Sequence, residues 1–189
     1  VAADLAGAAL GASTGAEALA AKTRPARLGE VTAFLSHSWQ DEAEAPGAKH
    51  RVVMRWARKH RETAGEEPTL WLDKACLDQN DIEQSLACLP VFLVGCQKLL
   101  IVAGPTYCTR LWCVMEIFTF LHMGGGLERI DVFPLSDGGR DGKSNGLNRL
   151  TAQFATFDAA KAQCFLPKDR ERLLAVVEAG FGDFKDFNT

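Results

Sequence analysis

The sequence has no run approaching the roughly eighteen apolar residues a membrane span needs, so no membrane segment is read from it. Nor is there a surplus of positive charge. Its 21 Lys and Arg stand against 24 Asp and Glu, a net charge of -3, and give no electrostatic reason to expect nucleic acid as a partner. There is no GxGxxG after the first apolar run and no GxxxxGKS/T, which excludes a dinucleotide fingerprint and a phosphate loop of the usual kinds. GxSxG occurs twice, as GASTG at 11–15 and GKSNG at 142–146, but neither directly follows an apolar strand run as the nucleophile turn of a serine hydrolase does. No CxxC occurs, Cys108 and Cys113 stand without a second pair, and His37, His50, His60 and His122 show no metal spacing, so no metal site is expected. Cysteine is present without being dense: Cys76, Cys88, Cys96, Cys108, Cys113 and Cys164 read as free thiols behaving as small hydrophobes. That usage leads us to expect the cytoplasm or another reducing compartment. Cys88, Cys96 and Cys113 are the best placed for burial. The chain starts at Val1 with no initiator methionine and is read as a fragment or processed form whose targeting signal is not visible.

What remains is an average globular composition, 47% hydrophobic and 24% charged over 189 residues, which fits one domain with a sizeable core. Residues 1–28 differ from the rest. They are rich in alanine and glycine and poor in large apolar groups, and they close with Lys22, Arg24, Pro25 and Arg27. They read as a marginal helix or linker ahead of an α/β domain spanning 29–189.

From there strands and helices alternate. Apolar runs at 31–36, 69–73, 99–103 and 130–135 predict four strands. Between them the spacing predicts a basic amphipathic helix over 50–63, a helix over 82–94 kinked or shortened by Pro90, and a third over 110–123. Residues 136–146 read as a long flexible loop from their glycine and charge. A weak helix and an edge strand around 154–158 follow, then a last helix from Pro167 that stops at Gly180. This alternation predicts an open parallel sheet ordered second-first-third-fourth, with a fifth edge strand and helices on both faces.

The stretch LLIVAGPTYCTRLWCVMEIFTFLHM, residues 99–123, organises the whole. It is a buried strand, a polar turn and a helix whose apolar stripe is read as Leu111, Met115, Phe118 and His122. Glu116 falls one step off that stripe, as either a solvated helix carboxylate or a site residue. In an open α/β sheet, loops leaving the carboxyl ends of the strands form the ligand crevice. Ser36, His37, Ser38 and Trp39 leave strand one there. Asp73, Lys74, Asp78, Gln79 and Asn80 leave strand two, and Thr106, Tyr107 and Arg110 leave strand three with Trp112 and Glu116 behind. A carboxylate, aromatic faces and hydrogen-bonding side chains suit a ligand with bases and ribose hydroxyls. Trp39, Trp71 and Trp112 read equally as core aromatics, Trp71 above all.

Three tracts in order, FLSHS, WLDKACLDQNDI and GPTYCTRLWCVMEI, resemble a Toll/interleukin-1 receptor (TIR) domain over about residues 30–135. WLDKACLDQ is also similar to the related fungal heterokaryon-incompatibility domain. The resemblance implies a five-stranded flavodoxin-like sheet in the order 2-1-3-4-5. In enzymatic members it implies hydrolysis of NAD+ at the nicotinamide–ribose bond, with NAD+ as substrate and no tightly bound cofactor. Against the family segment SxxYxxSxWCxxEL, the residues Tyr107, Trp112, Cys113 and Glu116 match. Arg110 and Leu111 depart from it, and Ile117 replaces leucine. Glu116 is then the catalytic carboxylate. Trp39 or Trp112 would stack on a ring, Ser36 and Thr106 would bond ribose or phosphate oxygens, with His37 in similar work and Tyr107 beside them, and Arg110 would pair with the pyrophosphate. Residues 74–81 correspond to a loop that mediates assembly. The implied partners are NAD+ or a related nucleotide, further copies of the chain and other TIR-like domains. Many members are adaptors without catalysis, and that alternative stays open.

Overall fold

Short runs of apolar residues bounded by polar or glycine punctuation form strands when both of their faces are covered. In the computed structural model, which describes residues 19, 21–44, 46–77, 87–135, 142–164 and 167–181, four such runs pair into one sheet. The strands are β1 (Val31–His37), β2 (Leu70–Trp71), β3 (Cys96–Ala103) and β4 (Ile130–Pro134). Their order is β2-β1-β3-β4 and every pairing is parallel. The sheet is the α/β, flavodoxin-like arrangement the alternation predicts. Ser36 pairs with Ile101 and His37 with Val102, so the carboxyl ends of β1 and β3 lie side by side.

The expected fifth strand is not found among the described residues. Phe154 and Ala155 instead close the helix α6 (Gly142–Ala155, numbering the α-helices α1 to α7 along the chain). The reason is visible in the spacing: Phe154 and Phe157 are three apart and would fall on opposite faces of a strand, without the alternation a half-buried strand needs. The same helix begins at Gly142, inside the segment expected to be a loop; residues 136–141 lie outside the described residues. The expected linker falls mostly outside them as well, since residues 1–18 and 20 are not described.

Among the described residues six more α-helices surround the sheet. These are α1 (Asp41–Glu44), α2 (Ala48–Ala64), α3 (Asp73–Cys76), α4 (Leu89–Val94), α5 (Leu111–His122) and α7 (Pro167–Phe181). Gly65, at φ 77°, ends α2 in the left-handed conformation that favours glycine. The basic residues Arg51, Arg55, Arg58, Lys59 and Arg61 all face solvent, as a solvated helix face would. Pro90 sets the start of α4: the chain breaks at Cys88 and resumes as a helix with the proline in its first turn, where the missing N–H has no helical partner to lose. Residues 78–86, which carry the beginning of the expected 82–94 helix and half of the 74–81 loop, lie outside the description. The described part of that loop is the one-turn helix α3. Gly180 does not stop α7, which runs on to Phe181.

Strand periodicity divides the core into two layers. Phe34, Leu99, Ile101 and Ala103 face α4 and α5, packing with Leu93, Tyr107, Cys113 and Phe120. Ala33, Leu35, Leu100 and Val102 face the other way, onto Val52, Val53 and Trp56 of α2. Trp71 is a core aromatic as expected, stacked on Phe34 with centroids 4.4 Å apart and on Phe92 at 5.1 Å. A third cluster, Leu111, Met115, Leu173 and Val177, holds α7 against the outer side of α5. All six cysteines are free; Cys96, Cys108 and Cys113 are buried. Cys88 is only half-buried, against expectation, because it occupies the break ahead of Pro90. No helix among the described residues is long and apolar enough to cross a membrane.

Candidate active site

Helix α5 carries two apolar stripes, and this changes the place of Glu116. Leu111 and Met115 belong to the stripe that meets α7, whereas Cys113 and Phe120 face the sheet. Glu116, three residues after Cys113 and four before Phe120, falls on the sheet-facing stripe. It is therefore buried, at 9% exposure, and is not the off-stripe solvated residue that a single-stripe helix would give.

The carboxylate is met there by the end of β1. Ser36, wholly buried, donates from Oγ to Glu116 Oε2 at 2.5 Å, and the same Oγ lies 2.6 Å from Tyr107 Oη. Tyr107 is also fully buried and reaches the Cys113 carbonyl at 3.4 Å. Loss of water pushes the Glu116 carboxyl up to about 8. The Ser36 hydrogen bond acts against that rise, and the nearby Asp73 charge adds to it. Burial likewise drives the Tyr107 phenol well above its ordinary value, so it stays protonated throughout the neutral range.

The turns after β1 and β3 are latched together by a residue the sequence analysis did not single out. Asp41, at the start of α1, accepts from Gly104 N at 3.1 Å, Thr106 N at 2.9 Å and Thr106 Oγ1 at 2.7 Å. Gly104 is required by the fit, since a Cβ there would run into the Asp41 carboxyl. Ser38 Oγ completes the latch at 2.6 Å from Thr106 Oγ1. The signal for Asp41 was the need itself: amides freed at the end of β3 have to find an acceptor.

His37 points, by the strand's alternation, to the other face of the sheet, with Lys49. Lys49 is completely buried and donates to the Ser38 carbonyl at 2.9 Å, with Glu42 Oε2 at 3.7 Å and His37 Nδ1 at 3.5 Å. An ammonium can only donate, so His37 Nδ1 accepts and its proton is on Nε2. That Nε2 has no hydrogen-bond partner among the described residues. Burial, then Lys49, lowers the imidazole to about 3 and keeps it neutral. Lys49 was legible in principle: four residues before Val53 and seven before Trp56, it lies on the apolar stripe of α2.

The other expected site residues make no hydrogen bond to Glu116 among the described residues, though Trp39 bonds Asp73, whose charge acts on the Glu116 carboxyl. Trp39 is half-buried, with the Lys74 ammonium 5.4 Å from its ring centroid and a side-chain hydrogen bond to Asp73. Asp73 is raised to about 6, chiefly by lost hydration. Trp112 is half-buried and packs between the sheet-facing cluster and the cluster against α7. Arg110 forms a one-residue bridge with Gln163, and its charge acts on the Cys113 and Cys164 thiols. The structure thus brings Ser36, Tyr107 and Glu116 together, adds Thr106 through Asp41 and Ser38, and leaves His37 on the opposite face. Among the described residues no group of three or more His, Cys, Asp or Glu side chains is placed to hold a metal. A cavity of about 640 Å³ opens at the other end of the sheet, between the starts of β1 and β3 and the β2 edge. It is lined by residues such as Arg27, Trp71 and Phe92 and is remote from the Ser36–Glu116 pair.

No family model, curated protein or solved structure matches the chain.

Proposed function

We propose that the chain hydrolyses NAD+ at the nicotinamide–ribose bond, with Glu116 as the catalytic carboxylate. The observation that carries this reading is the place of that carboxylate. It is buried and held by Ser36 at the carboxyl end of β1, where the chain's path reverses direction between β1 and β3. Ligands of open α/β sheets bind at such switch points. The reaction takes NAD+ and water to ADP-ribose, nicotinamide and a proton. Neutral nicotinamide leaves with the electrons of the glycosidic bond, so no general acid is needed, and the ribose passes through an oxocarbenium-like state that a carboxylate stabilises. A poorly solvated carboxyl is suited to this task. It is neutral in the empty site at pH 7, and a cationic pyridinium would draw it into its ionised form. Trp39 and Trp112 remain candidates for contact with rings, Thr106 for ribose or phosphate oxygens, and Arg110 for the pyrophosphate.

Release of free nicotinamide, followed by chromatography over a range of protein concentrations, tests the proposal. A related nucleotide in place of NAD+ would be revealed by the same assay with other dinucleotides.

A second reading is a self-association module without catalysis, its partners further copies of the chain or TIR-like domains. It is favoured by the exposed apolar residues Leu28, Val91 and Val94. Two of them, Leu28 and Val91, border the cavity along the open side of β2. Light scattering across the same concentrations separates the readings. Assembly with no nicotinamide release supports the second.

A further inference from the structure

A buried carboxyl that changes protonation poses a problem for its neighbours. Ionised, it only accepts hydrogen bonds; protonated, it must also donate one. An unmatched donor or acceptor in a dry site is costly in either state. At Glu116 Oε2 both states are matched by the same three groups, Ser36, Tyr107 and the Cys113 carbonyl. With Glu116 ionised, Tyr107 Oη donates to Ser36 Oγ across 2.6 Å, and Ser36 donates to Glu116 Oε2 across 2.5 Å. With Glu116 protonated, the order reverses: Glu116 donates to Ser36, Ser36 to Tyr107, and Tyr107 to the Cys113 carbonyl 3.4 Å away. Only hydroxyl rotation is required. Each hydroxyl keeps its own proton, and the single proton gained or lost is that of Glu116.

We propose that Ser36 and Tyr107 form a reversible hydrogen-bond relay that matches Glu116 Oε2 in both its acid and its carboxylate form. Ser36 is the direct partner, and Tyr107 is a positioning residue that acts through it. For catalysis the inference rests on the reading of Glu116 given above. It deepens that reading by assigning the group that allows the carboxyl to ionise as a cationic ring arrives.

Among the described residues, the elements packed around Glu116 present few other titrating groups. Cys113, on its own helix, is held protonated by burial. Asp73, from the end of β2, raises Glu116 by its charge. His37 lies on the opposite face of the sheet. Replacement of Asp73 by Asn therefore serves as a control, and is expected to lower the Glu116 midpoint while leaving the relay in place.

The test is the titration of the Glu116 carboxyl in the full chain carrying 13C-labelled glutamate. The signal is assigned by its loss in Glu116→Gln, and near-ultraviolet circular dichroism checks each variant's fold. Ser36→Ala is expected to move the midpoint up by about one pH unit or more, because the donor to the ionised form is gone. Tyr107→Phe is expected to move it up by less. In the Ser36→Ala background, Tyr107→Phe is expected to add nothing, since its effect passes through the missing hydroxyl. Additive shifts, or an unmoved midpoint in Ser36→Ala, would overturn the relay. If Ser36→Ala does not fold, Ser36→Thr decides the matter with Tyr107→Phe: the relay requires the first to keep the wild-type midpoint and the second to change it. No substrate is present, so the result is independent of the enzymatic reading. A relay seen in a protein that never releases nicotinamide removes the catalytic role alone. A catalyst whose pH profile ignores Ser36→Ala and Tyr107→Phe keeps its activity and loses the relay.

Discussion

Ser36 Oγ donates to Glu116 Oε2 across 2.5 Å, joining the end of the first strand to the middle of a helix 80 positions on. The bond forms where water is scarce, and Glu116 is raised from 4.5 to about 8. The folded state therefore holds this proton more tightly than the unfolded chain does. The stability this contributes is complete below pH 4.5 and is lost as the pH rises through 8. Asp73, raised from 3.8 to about 6, acts in the same direction over a more acidic window. Glu116→Gln is expected to flatten the alkaline decline, by an amount on the order of 4 kcal/mol between the two limits. Urea denaturation at about pH 5 and about pH 9 measures it. An equal decline in both proteins would count against a buried neutral acid.

The acid limb depends on His37. Its folded-state value is lowered from 6.5 to about 3, so its contribution is fully present above pH 6.5 and disappears as the pH falls through 3. His37→Asn keeps a polar atom for Lys49 while removing the titration. It is expected to reduce the loss of melting temperature between about pH 7 and about pH 4. Thermal unfolding in matched buffers reads the difference, and an unchanged slope contradicts a neutral buried imidazole.

Asp41 supports three donors from the turn after β3, two of them backbone amides. Asp41→Ala leaves them without their acceptor and is expected to cost about 2–4 kcal/mol, charged hydrogen bonds being worth more than neutral ones. Amide exchange should show the loss concentrated at Gly104 and Thr106. A small, uniform change would mean that the latch contributes little.

The strand order was legible because four apolar runs, each bounded by polar residues, left few ways to build a parallel sheet. Trp71 was legible as core, since it stands in a run of apolar neighbours. Glu116 was legible as a candidate by position and family likeness, yet its burial was not. The helix was read with one apolar stripe, and its second stripe appears only when both the sheet and α7 are known to pack on it. The same limit hid Asp41, whose three partners are more than 60 positions away in the chain. Alternation along β1 separates His37 from Ser36, so adjacent residues that looked like one site serve opposite faces. The expected fifth strand failed at Phe154 and Phe157: three apart, they would fall on opposite faces of a strand, and Phe154 lies in the helix that ends at Ala155.

Nicotinamide release from NAD+ by the wild type and by Glu116→Gln tests the central claim most directly. Gln is preferable to Ala, because a buried residue bonded to Ser36 cannot be truncated without leaving a gap and an unpaired hydroxyl. The assay should run from dilute to concentrated protein, so that an assembly-dependent site is not missed, and from about pH 6 to about pH 9. The account predicts release by the wild type that rises with pH as Glu116 ionises toward about 8. It also predicts at least a hundredfold loss, roughly, in a Glu116→Gln protein that remains folded. Silence of the wild type over the whole range, or comparable turnover by the variant, would contradict it.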